Sequence, residues 1–270
     1  MKTFSIQRVR PALGTLVAVE ATAGSGDLTV FAVNSAFQAI ERVAALMHPT
    51  TGESDIARVC ATPPGTSVAI DEWTYAVLAL AQALHSSTAG VFDPCTPDRP
   101  GRMSDLDLST RNAVTCHANV AIDLGGIAKG FAVDRAIDAL SAHGCSAGLV
   151  NAGGDVRVFG KTPSVMTVRS PDDAVVTIEI ANSALAVSGP RTAASPSGHR
   201  GFYLRSAGDA TGATIGGHLV AVTAAEAAVA DALTKCVMLC SRDSADEALA
   251  RYAARRVDAE PLPYFQPSTR

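Results

Sequence analysis

The sequence predicts an α+β fold, in which strands and helices are grouped rather than alternating. Segments with the pattern of strands cluster along the chain, and so do segments with the pattern of helices, whereas a doubly wound sheet requires regular alternation. The chain has 270 residues, a length that suits one large domain or two interlocked lobes. Hydrophobic residues make up 47% and charged residues 18%, so the chain can bury an extensive core.

The first two predicted strands are "KTFSIQRV" and "GTLVAVEAT", where β-branched residues recur and Gly14 breaks the connection. Apolar residues at helical spacing then predict a helix from Leu28 to Met47, with Asp27 as its cap. A second helix begins near Asp71 and runs through "EWTYAVLALAQALHSS". The segment 92–115 is rich in Pro, Asp, Gly and Arg, so we expect a long loop or short extended pieces there.

The helices and strands of the second half of the chain are predicted from the same signals. A helix is predicted from Ile127 to His143 and ends at Gly144. The stretch "AGLVNAGGDVRVFG" has the form of a hairpin that turns at Ala152–Gly154. Two closing helices are expected near Ala225–Leu239 and Ala245–Arg255. Further strands are predicted at "SVMTVRS", "VVTIEIA", "ALAVSG" and "HLVAVTA".

The charge of the chain argues against nucleic acid as its main partner. The formal net charge is −4, the pI is about 5.8, and no basic run exceeds Arg255–Arg256, although binding to a phosphate backbone requires a basic face. No segment resembles a membrane span, and "MKTFSIQRVRPALG" lacks the apolar core of a signal peptide. We therefore expect a cytoplasmic protein with no membrane span.

The six cysteines do not form a recognisable metal or disulfide motif. No CxxC pair occurs, and no histidine lies near them at the spacing of a metal finger. We interpret them as small buried thiols. Cys236 and Cys240 lie four residues apart on a predicted helix, so a shared ligand face is the alternative.

The stretch "IDLGGIAKGFAVDR" at 122–135 places a carboxylate and an ammonium group among three glycines. Gly125 and Gly126 let backbone N–H groups approach an oxygen-rich ligand, and the helix that follows adds positive partial charge at its N-terminus. Lys129 offers a point charge to a phosphate, and Asp123 accepts hydrogen bonds from a ribose or a flavin N–H. The stretch is neither a Walker loop nor a Rossmann fingerprint. A nucleotide or phosphate site and a plain helix-capping turn both account for it.

A second candidate is "AVADALTKC", in which Asp231 and Thr234 lie three residues apart on one face of a predicted helix. A carboxylate and a hydroxyl are hard oxygen donors that suit Mg²⁺, which leaves room for substrate phosphates in its octahedron. The alternative is a threonine that hydrogen bonds back to the main chain of its own helix.

Together these stretches resemble the ApbE family of FAD:protein FMN transferases. The resemblance spans roughly residues 10 to 245, and "DLGGIAKG" is its most specific part. The other matching segments follow in the family's order: "ALGTLVAVE" at 12–20, "SDIARV" at 54–59, "GVFDP" at 90–94, "GLVNAGGDVRVFG", "ALAVSG" and "VAVTAAEAAVADALTK".

The resemblance implies a fold, a reaction and a partner. The fold would consist of two interlocked α/β lobes with mixed or antiparallel sheets and an FAD cleft between them. Mg²⁺ would bridge the pyrophosphate and the protein. The enzyme would cleave the FAD pyrophosphate, attach FMN to a Ser or Thr of an acceptor flavoprotein, and release AMP.

The resemblance also assigns residues of this sequence to the site. Asp231 would be the main metal ligand, with the backbone carbonyl of Gly126 and the hydroxyl of Thr234 beside it. Asp123 and Lys129 would contact FAD. The residues expected along the flavin are Leu13, in place of the family's methionine, and Val91, Phe92 and Asp93.

Three departures from the family pattern affect the flavin and histidine parts of the site. The family's His-x-x-Asp-Pro segment is absent; His199 is the remaining candidate, and a solvated loop histidine is the alternative. The family's metal threonine stands four residues after the aspartate, where this chain has Lys235. Thr50 occupies the place of a tyrosine that stacks on the flavin. An FAD pyrophosphatase and a non-catalytic flavin-binding protein are therefore the alternative functions.

Overall fold

The structure is a computed structural model that describes residues 3–169, 175–189 and 219–257. The main part of the fold is an antiparallel sheet. The strands in these ranges are β1 (Phe4–Ala12), β2 (Thr15–Ala23), β3 (Ser67–Ala69), β4 (Leu106–Asp107), β5 (Ala113–Cys116), β6 (Ala147–Ala152), β7 (Asp155–Phe159), β8 (Ser164–Arg169), β9 (Val175–Ile180), β10 (Ala184–Ser188), β11 (Val220–Ala224) and β12 (Arg255–Val257). The helices are α1 (Gly26–Met47), α2 (Asp55–Ala61), α3 (Glu72–Ser87), α4 (Ala128–Ala142), α5 (Ala227–Leu239) and α6 (Arg242–Arg251), with a 3₁₀ turn at Met103–Asp105.

The seven strands of the main sheet follow the order β1-β2-β6-β7-β10-β11-β12, and every neighbouring pair is antiparallel. Strand β2 shows why the sheet buries one face, since Val17, Val19 and Ala21 alternate with more exposed residues and are fully buried. The strands β3, β5 and β4 form a separate small sheet. The predicted α+β fold with antiparallel sheets is confirmed, and its division into two lobes stays a prediction.

Helices α1, α4 and α5 cover one face of the main sheet. Helices α4 and α5 lie close together because Gly130 of α4 has no side chain where the two helices meet. A Cβ at this position would overlap the carbonyl of Ala227. Phe31 near the start of α1 packs edge-on against His143 just beyond α4, with ring centroids 4.8 Å apart. The two helices therefore run in opposite directions, and the C-terminal end of α1 lies near the start of α4.

The other face of the sheet is covered in part by the β8–β9 hairpin. A second apolar cluster forms there from residues of β7, β10, β11 and the hairpin: Val156, Val158, Leu185, Ala221, Val168 and Ile180. Helix α1 has the length and composition of a membrane span. Its apolar stripe, however, packs into the core against the sheet and α4, as in many water-soluble domains.

Several local predictions differ from the structure. Helix α1 is capped by Ser25, whose hydroxyl accepts a hydrogen bond from the Leu28 N–H at 3.2 Å, and Asp27 lies in its first turn instead. Helix α2 was not predicted, because seven residues are too few for a clear helical period. The last predicted helix ends at Arg251, and β12 begins at Arg255.

The cysteines behave largely as predicted. All six are free thiols, four of them buried, while Cys60 and Cys240 are partly exposed. Within the residues that the structure describes, no three His, Cys, Asp or Glu side chains form a group that could hold a metal ion.

Candidate functional site

Two tight turns meet at one end of the main sheet, which we call the turn end. Leu13 and Gly14 connect β1 to β2 with φ of 52° and 71°, and Gly153 and Gly154 connect β6 to β7 with φ of 63° and 103°. A Cβ on Gly153 would lie 2.7 Å from Oγ1 of Thr15, so the two turns are in contact. The structure thus places Leu13 at the turn end, beside the glycines of the second hairpin.

Helix α4 begins at the same end and directs Lys129 toward the β6–β7 hairpin. The Lys129 ammonium forms an ion pair with Asp155, the residue that directly follows the glycine turn. Before the helix, the Gly125 N–H donates to Oδ1 of Asp123 at 2.8 Å, which closes the predicted turn on itself. Asp123 is exposed, so its carboxylate is accessible at the start of this turn.

Helix α5 supplies a second carboxylate to the same cluster. Asp231 is fully buried, and its Oδ2 lies 3.7 Å from Nζ of Lys129. The same oxygen accepts the N–H of Gly130 at 3.3 Å. The other oxygen, Oδ1, pairs with the ammonium of Lys235, one turn later on α5. Two parts of the sequence that lie about a hundred residues apart therefore converge at Lys129, Gly130 and Asp231.

The charges in this cluster perturb one another because they are buried. Burial and the nearby charge of Asp231 raise the pKa of Asp155 to about 6, although the ammonium groups of Lys129 and Lys235 oppose that rise. Burial also disfavours ionisation of Asp231, but Lys129 and Lys235 outweigh it and hold the pKa of Asp231 below its ordinary value. The arrangement is a compact set of two carboxylates and two ammonium groups.

A different carboxylate fixes the start of α5. Asp134 of α4 accepts the N–H groups of Ala227 and Ala228, both at 2.8 Å, and pairs with Arg157 at 2.7 Å. The residue before the helix, Glu226, makes no capping hydrogen bond through its own side chain. Asp134 therefore caps α5 from another helix and thereby positions Asp231, which lies one turn after Ala227.

The other two predicted metal ligands lie close to Asp231. The Thr234 hydroxyl donates to the main-chain oxygen of Asp231 at 2.6 Å, as the back-bonding alternative predicts, and lies 2.7 Å from the hydroxyl of Ser188. Gly126 faces the side chain of Lys235, since a Cβ at Gly126 would lie 3.6 Å from Cε of that lysine. Gly126, Asp231 and Thr234 are thus near one another, and Lys235 contacts both Gly126 and Asp231.

The segment expected along the flavin is attached to the site turn but is mostly internal. The Asp123 N–H donates to the carbonyl of Pro94 at 2.9 Å, which joins the two segments. Phe92 and Asp93 are buried, whereas Val91 is partly exposed. Oδ1 of Asp93 accepts two N–H groups of its own loop, at 2.9 and 3.2 Å. In this arrangement Phe92 and Asp93 support the loop from inside.

One predicted residue, Thr50, lies apart from this cluster. Thr50 is exposed just beyond α1, and its N–H donates to Nδ1 of His48 at 3.2 Å. The direction of α1 places Thr50 at the same end of the fold as the start of α4. His199 lies outside the described residues.

Sequence reasoning missed two members of the cluster. Asp155 follows the "NAGGD" turn, but its pairing with Lys129 depends on how α4 packs on β7. Lys235 stands four residues after Asp231, the spacing at which helical side chains of opposite charge meet. That spacing was a usable signal for the ion pair.

Comparison with known proteins identifies relatives of this chain. A family profile described as "ApbE family" matches residues 13–98 and 100–259. The structure resembles the flavinyl transferase ApbE of Pseudomonas stutzeri, with a TM-score of 0.79 and 18% identity over 95% of this chain and 91% of the other. The Vibrio cholerae flavin transferase ApbE gives 0.75 and 18% over 94% and 93%, and the Thermotoga maritima ApbE protein gives 0.71 and 26% over 92% and 87%. None of the curated proteins matches the sequence.

Proposed function

The chain belongs to the ApbE family, and on that premise we propose that it is an FAD:protein FMN transferase. Its substrates would be FAD and a Ser or Thr hydroxyl of an acceptor flavoprotein, and AMP would be the second product. The observation that carries this proposal is the approach of Lys129 to Asp231, 3.7 Å apart, beside the glycine turn of Gly125 and Gly126. The fold of two known flavin transferases supports it.

The residues of the chain supply positioning and positive charge for phosphoryl transfer. The ammonium of Lys129, at the positive end of the α4 dipole, would hold the FAD diphosphate. The acceptor hydroxyl oxygen forms a bond to the FMN phosphorus, the bond from that phosphorus to the AMP oxygen breaks, and one proton is released. Such a transition state is stabilised mainly by alignment of the reacting groups and by neutralisation of charge. The groups named here can supply both.

Magnesium at Gly126, Asp231 and Thr234 stays a prediction from the sequence. When bound, Mg²⁺ would supply charge to the diphosphate and to the leaving AMP oxygen. The donors fit it poorly as they are arranged, because Lys235 pairs with one oxygen of Asp231 and its methylene groups lie beside Gly126. We therefore derive no catalytic step through a metal.

The test is incubation with FAD and a candidate acceptor, with and without Mg²⁺. Acid-stable flavin fluorescence on the acceptor, together with AMP, supports FMN transfer. Free FMN and AMP without labelled acceptor support the pyrophosphatase alternative, and binding of FAD without turnover supports a flavin-binding protein. We also propose a cytoplasmic location, which fractionation of cells tests.

Variants at the cluster assign the activity to this site. Asp231→Ala is expected to abolish either reaction, and Lys129→Met is expected to lower the rate about 100-fold, as is typical for the loss of a charged contact to the transition state. Lys161→Met is the matched control, because Lys161 is exposed beyond β7 at the opposite end of the sheet. Full activity of Asp231→Ala would remove this cluster from the mechanism.

A further inference from the structure

Lys235 is the most deeply buried ammonium among the described residues, with 2% of its surface exposed. A buried lysine ordinarily loses its charge unless a partner stabilises it. Here α5 provides that partner one turn earlier, since Asp231 and Lys235 are four residues apart on the same helix face. The pair lies within the candidate site.

The side chain of Lys235 contacts two of the residues predicted to hold a metal. Its ammonium pairs with Oδ1 of Asp231 and donates to the main-chain oxygen of the same residue at 3.0 Å. Its methylene groups run past Gly126, because a Cβ built there would lie 3.6 Å from Cε and 3.9 Å from Cδ and Cγ. The lysine therefore takes up the space beside Asp231 on the side of Gly126.

The formal charges of the cluster already balance. Asp155 and Asp231 contribute two negative charges, and Lys129 and Lys235 contribute two positive charges, all within direct contact. A divalent cation placed against Asp231 would face two ammonium groups in a region shielded from water, where repulsion between like charges is strong. For a metal to bind Asp231 through Oδ1, Lys235 has to leave.

We infer that Lys235 is a built-in cation that occupies the divalent-metal position at Asp231, so that this carboxylate binds divalent cations weakly. Resting on the proposed function, the inference adds that flavin transfer depends little on Mg²⁺. A lysine ammonium supplies positive charge without the octahedral arrangement of ligands that Mg²⁺ requires.

The test measures binding of Mn²⁺ to the metal-free, flavin-free full chain by electron paramagnetic resonance. The wild type is expected to show no binding that depends on Asp231, so wild type and Asp231→Asn give the same titration. Lys235→Thr removes the ammonium and adds an oxygen donor, and we expect it to bind Mn²⁺ at least about tenfold more tightly than the wild type. Lys235→Met removes only the ammonium and is expected to fall between them.

Two outcomes would overturn the inference. The first is Mn²⁺ binding by the wild type that is lost in Asp231→Asn. The second is a folded Lys235→Thr variant, judged by circular dichroism, that gains no affinity or keeps its gain when Asp231→Asn is added. The wild-type titration decides the question even if the lysine variants fail to fold.

A transfer assay separates this inference from the proposed function. In the presence of a chelator, the wild type is expected to keep most of its transfer rate, whereas Lys235→Thr is expected to need added Mg²⁺. A wild-type rate that falls about 100-fold with the chelator and returns with Mg²⁺ contradicts the built-in cation. Absence of transfer under every condition counts against the proposed function, and the Mn²⁺ titrations still decide the inference.

Discussion

Helices α4 and α5 each carry a buried carboxylate that contacts the other helix, and the two carboxylates have different partners. Asp134 of α4 accepts two N–H groups of α5 at 2.8 Å each and pairs with Arg157, whereas Asp231 of α5 accepts one N–H of α4 at 3.3 Å and pairs with Lys129 and Lys235. Backbone N–H groups cannot leave without unwinding a helix, but lysine side chains can rotate toward another anion. The first carboxylate is therefore suited to holding the fold and the second to exchanging partners with a ligand.

The largest effect is expected on removing the first carboxylate. Asp134→Ala leaves two N–H groups of α5 and the Arg157 guanidinium without their acceptor, and we expect it to lower the free energy of unfolding by about 3–5 kcal/mol. Urea unfolding followed by circular dichroism measures the change. Asp134→Asn keeps one acceptor oxygen and is expected to cost less. A loss below about 1 kcal/mol for Asp134→Ala would contradict its role as the cap of α5.

The contact between the two helices offers a second test, of intermediate size. Gly130→Ala forces a methyl group into the backbone of Ala227 and is expected to destabilise the fold by about 1–3 kcal/mol, despite alanine's better helix propensity. Gly126→Ala is the matched comparison, because its methyl would lie at 3.6 Å from the Lys235 side chain, an ordinary contact. Equal thermal stability of the two variants would mean that α4 and α5 can separate without cost.

The third effect concerns the pH dependence of stability at Asp155, the partner of Lys129. The pKa of Asp155 is raised to about 6, so the folded chain holds this proton more tightly than the unfolded chain. Its stabilising contribution is complete below the ordinary pKa and is lost as pH rises through about 6. Asp155→Asn should therefore gain stability relative to the wild type between pH 4 and pH 7, by about 2 kcal/mol.

A surface carboxylate provides the control of opposite sign. Asp71 is partly exposed, and although burial opposes it, the Trp73 N–H and the Arg42 guanidinium lower its pKa. Its contribution is present above its ordinary pKa and is lost as pH falls, so Asp71→Asn should lose stability relative to the wild type as pH rises. If both variants follow the same trend with pH in urea unfolding, the assignment of Asp155 is wrong.

Much of the local structure could be predicted from the sequence, because its causes are local. The helix predicted from "EWTYAVLALAQALHSS" is α3 at Glu72–Ser87, and Asp71 is its cap, as the apolar spacing and the preceding aspartate indicate. The hairpin at β6 and β7 was predicted from its glycine turn. Of the site, Lys129 and Asp231 lie 3.7 Å apart, and the roles that the sequence assigns to them stay predictions.

The types of the main elements and the candidate polar residues follow from the amino-acid sequence, since periodicity, caps and glycine turns act over a few residues. The partners of those residues follow only from the packing of the chain. Lys129 meets Asp155 because α4 packs on the hairpin, and Asp134 caps a helix 93 residues away. Such pairings depend on how whole helices and strands pack, where the loss of water makes each buried charge require a partner.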